Sequence, residues 1–317
     1  MATDIHMHRS FTDFYADTVG VRTAYLAAEG YVDELREELG TLELGHDRLL
    51  IAAGAPRTAA WAANVWLELQ EITIASISDA ATKLRAIQRN WVAYAPRFHR
   101  RAVLIQERLP KVSAKPVVFG TSPPSAPLGS WTLLDAGTIF AAPHCTSPFP
   151  NGEVCFVEDR SGPPSRAYLK LWEALTLVGR QPGPNEICVD LGASPGGWSW
   201  ALSKMGAHVI SVDKAALAPE VAHLPGIEYR RESAFALDPR MIGPIDWLFS
   251  DVVCYPPRLL ALVERWLAVG TCRNFVCTIK FQGETDYDTA RRFAAIPGSQ
   301  LRHLFHNKYE LTWIKIG

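Results

Sequence analysis

Val189-Asp190-Leu191-Gly192-Ala193-Ser194-Pro195-Gly196-Gly197-Trp198 reads as an apolar strand that enters a glycine-rich turn and emerges as a helix. Glycines at such a turn let the backbone approach a ligand, and the following helix offers unpaired N–H groups at its N-terminus. Ligands of open α/β sheets bind in this place, beyond the carboxyl ends of the strands. The dinucleotide spacing G-x-G-x-x-G is absent; Ser-Pro-Gly-Gly-Trp stands in its place. The next apolar stretch, 208–212, ends at Asp213, where a carboxylate can accept hydrogen bonds from ribose hydroxyls.

Outward from this turn the pattern is regular. Ser165 follows Gly-Pro-Pro and is expected to cap a helix carrying Leu169, Trp172 and Leu175 on one face. Strands are expected at 187–191, 208–212, 227–230, 245–250, 275–279, 301–305 and 311–316, with helices near 197–205, 257–267 and 286–295. Apolar strands alternating with amphipathic helices imply a mainly parallel, doubly wound sheet. The last two strands are joined by too few residues for a crossover and must pair antiparallel.

The first half is less regular. Two Pro/Gly-rich stretches, 117–127 and 148–164, break the chain, and the second puts a domain boundary near residue 160. Before it, residues 23–40 read as a strand followed by an acidic helix, and 49–53 and 67–75 have strand character. Residues 79–94 have helical periodicity with Leu84, Ile87 and Trp91 on one side, and 103–106 and 131–141 read as further strands. A smaller α+β domain over 1–160 is expected, followed by the α/β domain over 161–317.

Composition bounds the function. In 317 residues, 48% hydrophobic and 21% charged, no apolar run approaches the roughly 20 residues of a membrane span. Residues 1–20 lack the apolar core of a signal peptide, so a cytoplasmic location is expected. The six cysteines show no zinc or disulfide spacing and are expected to be buried thiols, with no metal. Net charge is −1, yet between Lys83 and Lys115 nine basic residues face only Glu107. With Trp91, Tyr94, Phe98 and His99 interleaved, this run suits an RNA partner, tracking phosphates and stacking on unpaired bases, with Arg97, Arg100 and Arg101 at its centre.

The glycine turn resembles the first motif of the FtsJ-like RNA 2′-O-methyltransferases, D-L-G-x-x-P-G-G-W, and the resemblance extends over 160–317. It is nearest the RlmM group, which methylates a cytidine ribose in large-subunit ribosomal RNA. Ser165-Arg166-Ala167-Tyr168-Leu169-Lys170-Leu171 is similar to that group's S-R-S-T-L-K-L, and Ser211-Val212-Asp213 to its S-V-D. Trp266-Leu267-Ala268-Val269-Gly270-Thr271-Cys272-Arg273 is similar to its W-L-V-N-G-W-C-R. The resemblance implies a class I (Rossmann-like) fold with S-adenosyl-L-methionine (AdoMet) as cofactor. It implies AdoMet contacts from Ser165, Gly192, Pro195, Gly196, Gly197, Trp198, Asp213 and Asp251. Where the group has Asp in R-E-D-G-F this chain has Ser233, which can still hydrogen-bond the adenine side. The group also carries an RNA-binding THUMP region before its catalytic domain, of which residues 1–160 would be a shorter version.

The resemblance further implies a catalytic set of Lys170, Asp251, Lys280 and Glu310. The chemistry explains these residue types. A ribose 2′-hydroxyl is a weak acid and must lose its proton as it attacks. A lysine can take that proton if it is neutral, a state favoured by burial or a neighbouring cation. Lys280 is expected to be the base, Lys170 the second lysine, and Asp251 and Glu310 the groups that orient them. Two alternatives compete with an RNA ribose methyltransferase: a catalytically inactive RNA-binding homologue, and a methyltransferase for a non-RNA substrate.

Overall fold

The computed structural model describes residues 20–113 and 115–317; the reading of residues 1–19 lies outside these. The first half is built from β1 (Arg22–Ala27), α1 (Val32–Leu39), β2 (Leu44–His46), β3 (Leu49–Ala53), β4 (Ala62–Leu67) and β5 (Gln70–Thr73). Then come α2 (Ile77–Ile87), β6 (Trp91–Ala93), α3 (His99–Gln106), β7 (Gly129–Leu133), β8 (Thr138–Ala142) and β9 (His144–Cys145). These strands make two sheets, in the orders β2-β3-β1-β4-β9 and β5-β8-β7-β6.

The second half begins with α4 (Tyr168–Val178), β10 (Ile187–Leu191), α5 (Gly197–Lys204), β11 (His208–Val212), α6 (Pro219–Ala222) and β12 (Ile227–Arg230). It continues through α7 (Pro239–Ile242), β13 (Trp247–Ser250), α8 (Pro256–Val269), β14 (Asn274–Lys280), α9 (Tyr287–Ala294), β15 (Ser299–Arg302) and β16 (Glu310–Lys315). Its seven strands lie in one sheet ordered β12-β11-β10-β13-β14-β16-β15. β10 pairs in parallel with β11 and β13, β13 pairs in parallel with β14, and β16 inserts antiparallel between β14 and β15. The strand order therefore reverses at β10, and the glycine turn follows that strand. No helix among the described residues is long and apolar enough to cross a membrane.

The two halves share a core. Tyr25, Leu35, Leu50 and Trp61 belong to one continuous apolar cluster with Leu191, Leu248, Phe275, Phe293 and Trp313 of the seven-stranded sheet. Thirty or more buried apolar side chains in such a cluster make separation of the halves costly, because each fully buried large side chain contributes about 1.5–3 kcal/mol.

Several expectations for the first half are corrected. Residues 103–106 are the end of helix α3, not a strand: Ala102 and Ile105 are buried three positions apart while Val103 and Leu104 face out. The helical stretch at 79–94 stops at Ile87, and Trp91 opens strand β6. Trp91 still packs under α2, and its indole N–H donates to the Leu84 carbonyl at 2.9 Å. Residues 131–141 are a hairpin, β7 and β8, turned at Asp135, whose carboxylate accepts from the Gly137 N–H at 2.7 Å. The strand expected over 67–75 is only β5, and β4 before it was unforeseen. Ser165 does not cap α4, whose N-cap is Ala167 and whose residues from Tyr168 to Thr176 are all buried. Cys155 is exposed and Cys145 half-buried, against four buried thiols.

The helical reading of α3 makes a sharp prediction. Val103→Glu should change unfolding free energy by no more than about 0.5 kcal/mol, as is usual at the surface. Ile105→Ala should cost about 2–5 kcal/mol, the usual range for a buried truncation. Chemical denaturation of both variants checks this; comparable losses at both positions would fit a strand buried on two faces.

Candidate active site

The register of the sheet assembles the charged residues. Lys280 is the last residue of β14 and Glu310 the first of β16, and the two are direct cross-strand partners. Asp251 follows β13, the parallel neighbour of β14. Helix α4 lies across these strand ends and delivers Lys170. The Lys170 ammonium group contacts Asp251 Oδ1 and Glu310 Oε1, each at 2.8 Å. Lys280 Nζ lies 3.2 Å from Asp251 Oδ1 and donates to the Asp251 main-chain carbonyl at 2.6 Å. Two cations and two carboxylates thus form one balanced cluster, reaching from α4 to three adjacent strands.

Burial works against charge on Lys170, but Asp251 and then Glu310 outweigh it, and its pKa stands above that of an ordinary lysine. Lys170 therefore stays protonated at neutral pH. Lys280 meets Asp251 twice, at the main-chain carbonyl and at the carboxylate, and has no contact with Glu310 of the kind Lys170 makes. All four residues line an open cavity of about 560 Å3, together with Ser165, Arg166, His306 and Lys308.

Beside this cavity lies a second of about 230 Å3, lined by Gly192, Asp213, Ser233, Phe235, Val252 and Arg258 among others. Gly192 has φ +78°, and a Cβ there would stand 2.7 Å from the Val252 Cα, so the strand end and the β13 loop close on each other only with glycine. Gly196 (φ +117°) caps α5, and a Cβ on Gly197 would lie 2.6 Å from the Ser165 hydroxyl. Asp213 is held by the Ser194 N–H at 3.0 Å and the Ala215 N–H at 2.9 Å. These bonds fix its carboxylate at the rim.

Trp198 stands apart from the other expected cofactor contacts. Its ring is only 3% exposed, its indole N–H donates to the Ala167 carbonyl at 2.9 Å, and its edge meets Phe249. The side chain packs α5 against the N-terminus of α4, leaving backbone as what this residue offers a ligand. Ser165, Pro195, Gly196 and Gly197 surround the same turn.

Three features were missed in the sequence. Asp190 is fully buried, accepts from the Ser199 hydroxyl at 2.6 Å, and is pushed up to about 7 by burial. Glu173, one turn after Lys170, is also buried; its carboxylate accepts from the Phe305 N–H (2.7 Å), the His306 N–H (3.0 Å) and His306 Nδ1 (2.8 Å). An ionisable residue inside so apolar a helix was the available signal. Third, Tyr31 and Trp61 of the first half pack on Tyr309, with ring centroids 5.8 and 6.0 Å away, and Trp61 also meets Phe281 at 5.8 Å. Phe281 and Tyr309 are the chain neighbours of Lys280 and Glu310.

The basic run is divided. Arg97, Phe98, His99 and Arg100 are exposed and Arg101 is half-buried. Trp91 and Tyr94, however, are core residues, and Tyr94 hydrogen-bonds Asp47, so neither can stack on a base. They enter two different apolar clusters, Trp91 with Leu84 and Ile105 and Tyr94 with Trp66 and Phe140.

Residues 163–286 match the family described as FtsJ-like methyltransferase. Relatives named ribosomal RNA large subunit methyltransferase M include that of Halorhodospira halophila, 37% identical over 157 residues. That of Xylella fastidiosa is 35% identical over 165 residues. Each alignment covers 47% of this chain and 46% of the relative, so the match spans about half the length of these proteins. Among solved structures, a magnesium protoporphyrin IX methyltransferase from Synechocystis shares 13% identity at a TM-score of 0.31, over 42% of this chain and 71% of that one.

Proposed function

We propose that this protein is an AdoMet-dependent methyltransferase of class I fold that modifies a ribose 2′-hydroxyl in RNA, with large-subunit ribosomal RNA as substrate and cytidine as the target. The observation that carries this reading is the Lys170–Asp251–Lys280–Glu310 cluster lining a cavity beside the glycine turn. The FtsJ-like match and the relatives' names point to the same chemistry.

The residues present fit the cofactor. Gly192 lets the strand end close on the Val252 backbone at the wall of this cavity, and Asp213 keeps lone pairs for two adjacent hydroxyls. Ser233 offers a hydroxyl in the same cavity, and Ser165 lines the neighbouring one. Asp251 stands between the two cavities. Bound AdoMet would supply a methyl group already activated by a positive sulfur. The protein's own task is then to hold the acceptor hydroxyl and take its proton. Lys280 accepts that proton on its free lone pair; Lys170 remains charged, disfavours a second ammonium beside it, and stabilises the oxygen as charge develops. Asp251 and Glu310 hold both nitrogens in place. Orientation of this kind can supply roughly 7–11 kcal/mol of a barrier.

The test uses a substitution that keeps charge. Lys280→Arg retains a cation but cannot give up its proton at working pH. Methyl transfer from labelled AdoMet into ribosomal RNA should fall by at least about a hundredfold, the usual worth of a positioned base, while calorimetric AdoMet affinity stays within a few-fold. Activity near that of the unsubstituted protein would remove Lys280 as the base.

We further propose that the first half, residues 1–160, is the RNA-docking domain, a reduced THUMP-like region that contacts phosphates through Arg97, Arg100 and Arg101. Neutralising all three should weaken RNA binding and reduce its salt slope by about 2, given roughly −0.7 per phosphate on single strands. Unchanged affinity and slope would make the run an ordinary solvated face.

A further inference from the structure

The loop between β15 and β16 crosses the mouth of the catalytic cavity, and a single buried carboxylate holds it there. Glu173 Oε1 accepts from the Phe305 N–H, and Oε2 accepts from both the N–H and the Nδ1 of His306. With Nδ1 turned onto the carboxylate as the donor, Nε2 is the ring nitrogen left to face the cavity. Nε2 has no partner among the described residues, and His306 lines the cavity beside Lys170, Lys280 and Lys308. Apart from the Ser165 hydroxyl, the other polar side chains there are lysines, Arg166, and carboxylates already engaged by lysines. His306 therefore presents the cavity with an unengaged ring nitrogen. A phosphate has no hydrogen to give it, whereas a nucleobase N–H does.

The neighbour in the chain supplies the complementary surface. Phe305 is 43% exposed, although the carboxylate fixes its backbone; its ring stands edge-on to His306 with centroids 5.2 Å apart. On its other side His306 is backed by Phe156 at 5.8 Å. An exposed aromatic ring on an immobilised loop, next to an oriented acceptor, is the combination that reads an unstacked base: one side chain offers a face, the other an edge.

We infer that Phe305 and His306, clamped by Glu173, form a base-reading pair that receives the nucleobase of the RNA nucleotide whose ribose enters the cavity. Phe305 stacks on the base, and His306 Nε2 accepts from one of its N–H groups. The inference rests on the reading of the cavity as the methyl-transfer site, but its test does not require turnover.

The measurement is equilibrium binding of a short single-stranded RNA against a ribose–phosphate oligomer of the same length that lacks bases. The full-length protein is compared with Phe305→Ala and His306→Asn; the asparagine amide can still donate to Glu173 where Nδ1 did, but leaves nothing in place of Nε2. The protein should bind the base-bearing strand about tenfold more tightly than the abasic one, within the range for stacking one base. Each variant should lose most of that preference and bind the abasic oligomer as before. Equal affinity of the unsubstituted protein for the two strands, or variants that retain the full preference, would overturn the base-reading pair. Absence of methyl transfer from labelled AdoMet would instead count against the reading of the cavity.

Discussion

Everything at the proposed catalytic rim depends on the ion cluster around Asp251. Burying an ion costs several kcal/mol even after relaxation, so the buried Lys170 and the half-buried Lys280 persist only with carboxylates at hydrogen-bond distance. Asp251 meets both ammonium groups and Glu310 meets one. Because the four residues come from α4 and from the ends of three adjacent strands, the cluster forms only when the sheet is in register. A one-residue slip of β16 against β14 would move Glu310 from opposite Lys280 and turn its side chain to the other face. The same arrangement divides the lysines: Lys170, with two carboxylates, is held in its charged form, whereas Lys280 meets Asp251 alone.

The cluster also explains why the surrounding loops are tied down. Orientation contributes to a reaction only if the groups hold their positions, and the flanking residues are held from both sides. Glu173 restrains the loop that leads to Glu310, and Tyr31 and Trp61 restrain Tyr309 and Phe281. His303 in that loop donates its N–H to the Ala60 carbonyl at 2.6 Å, and burial pulls its imidazole down to about 4, so it remains neutral in the joint. The first half of the chain is thus part of the catalytic rim's support as well as the proposed carrier of RNA contacts.

How much of this was legible in the sequence follows from how local each signal is. The strands of the seven-stranded sheet read clearly because buried parallel strands are continuous apolar runs between helices, as in Ile187–Leu191 and His208–Val212. The glycine turn and the charged residues at strand ends read equally well, since a charge beside an apolar run is conspicuous. The first half read poorly because its elements are short and its faces are set by distant partners. The run at 103–106 is apolar in either conformation, and only the packing of Ile105 under α2 and β6 separates helix from strand. Trp91 and Tyr94 have the spacing of surface aromatics and are core. Glu173 and His306 lie far apart in the chain, and no spacing rule joins them.

The central claim is that the cavity presents a ribose hydroxyl, not a base nitrogen or carbon, to the methyl donor. The direct measurement is to methylate unmodified large-subunit ribosomal RNA with labelled AdoMet, hydrolyse it fully in alkali and separate the products. A 2′-O-methyl group blocks attack on the adjacent phosphodiester, so the account predicts that the label appears in alkali-resistant dinucleotides. Label recovered in mononucleotides would place the methyl group on a base and contradict it.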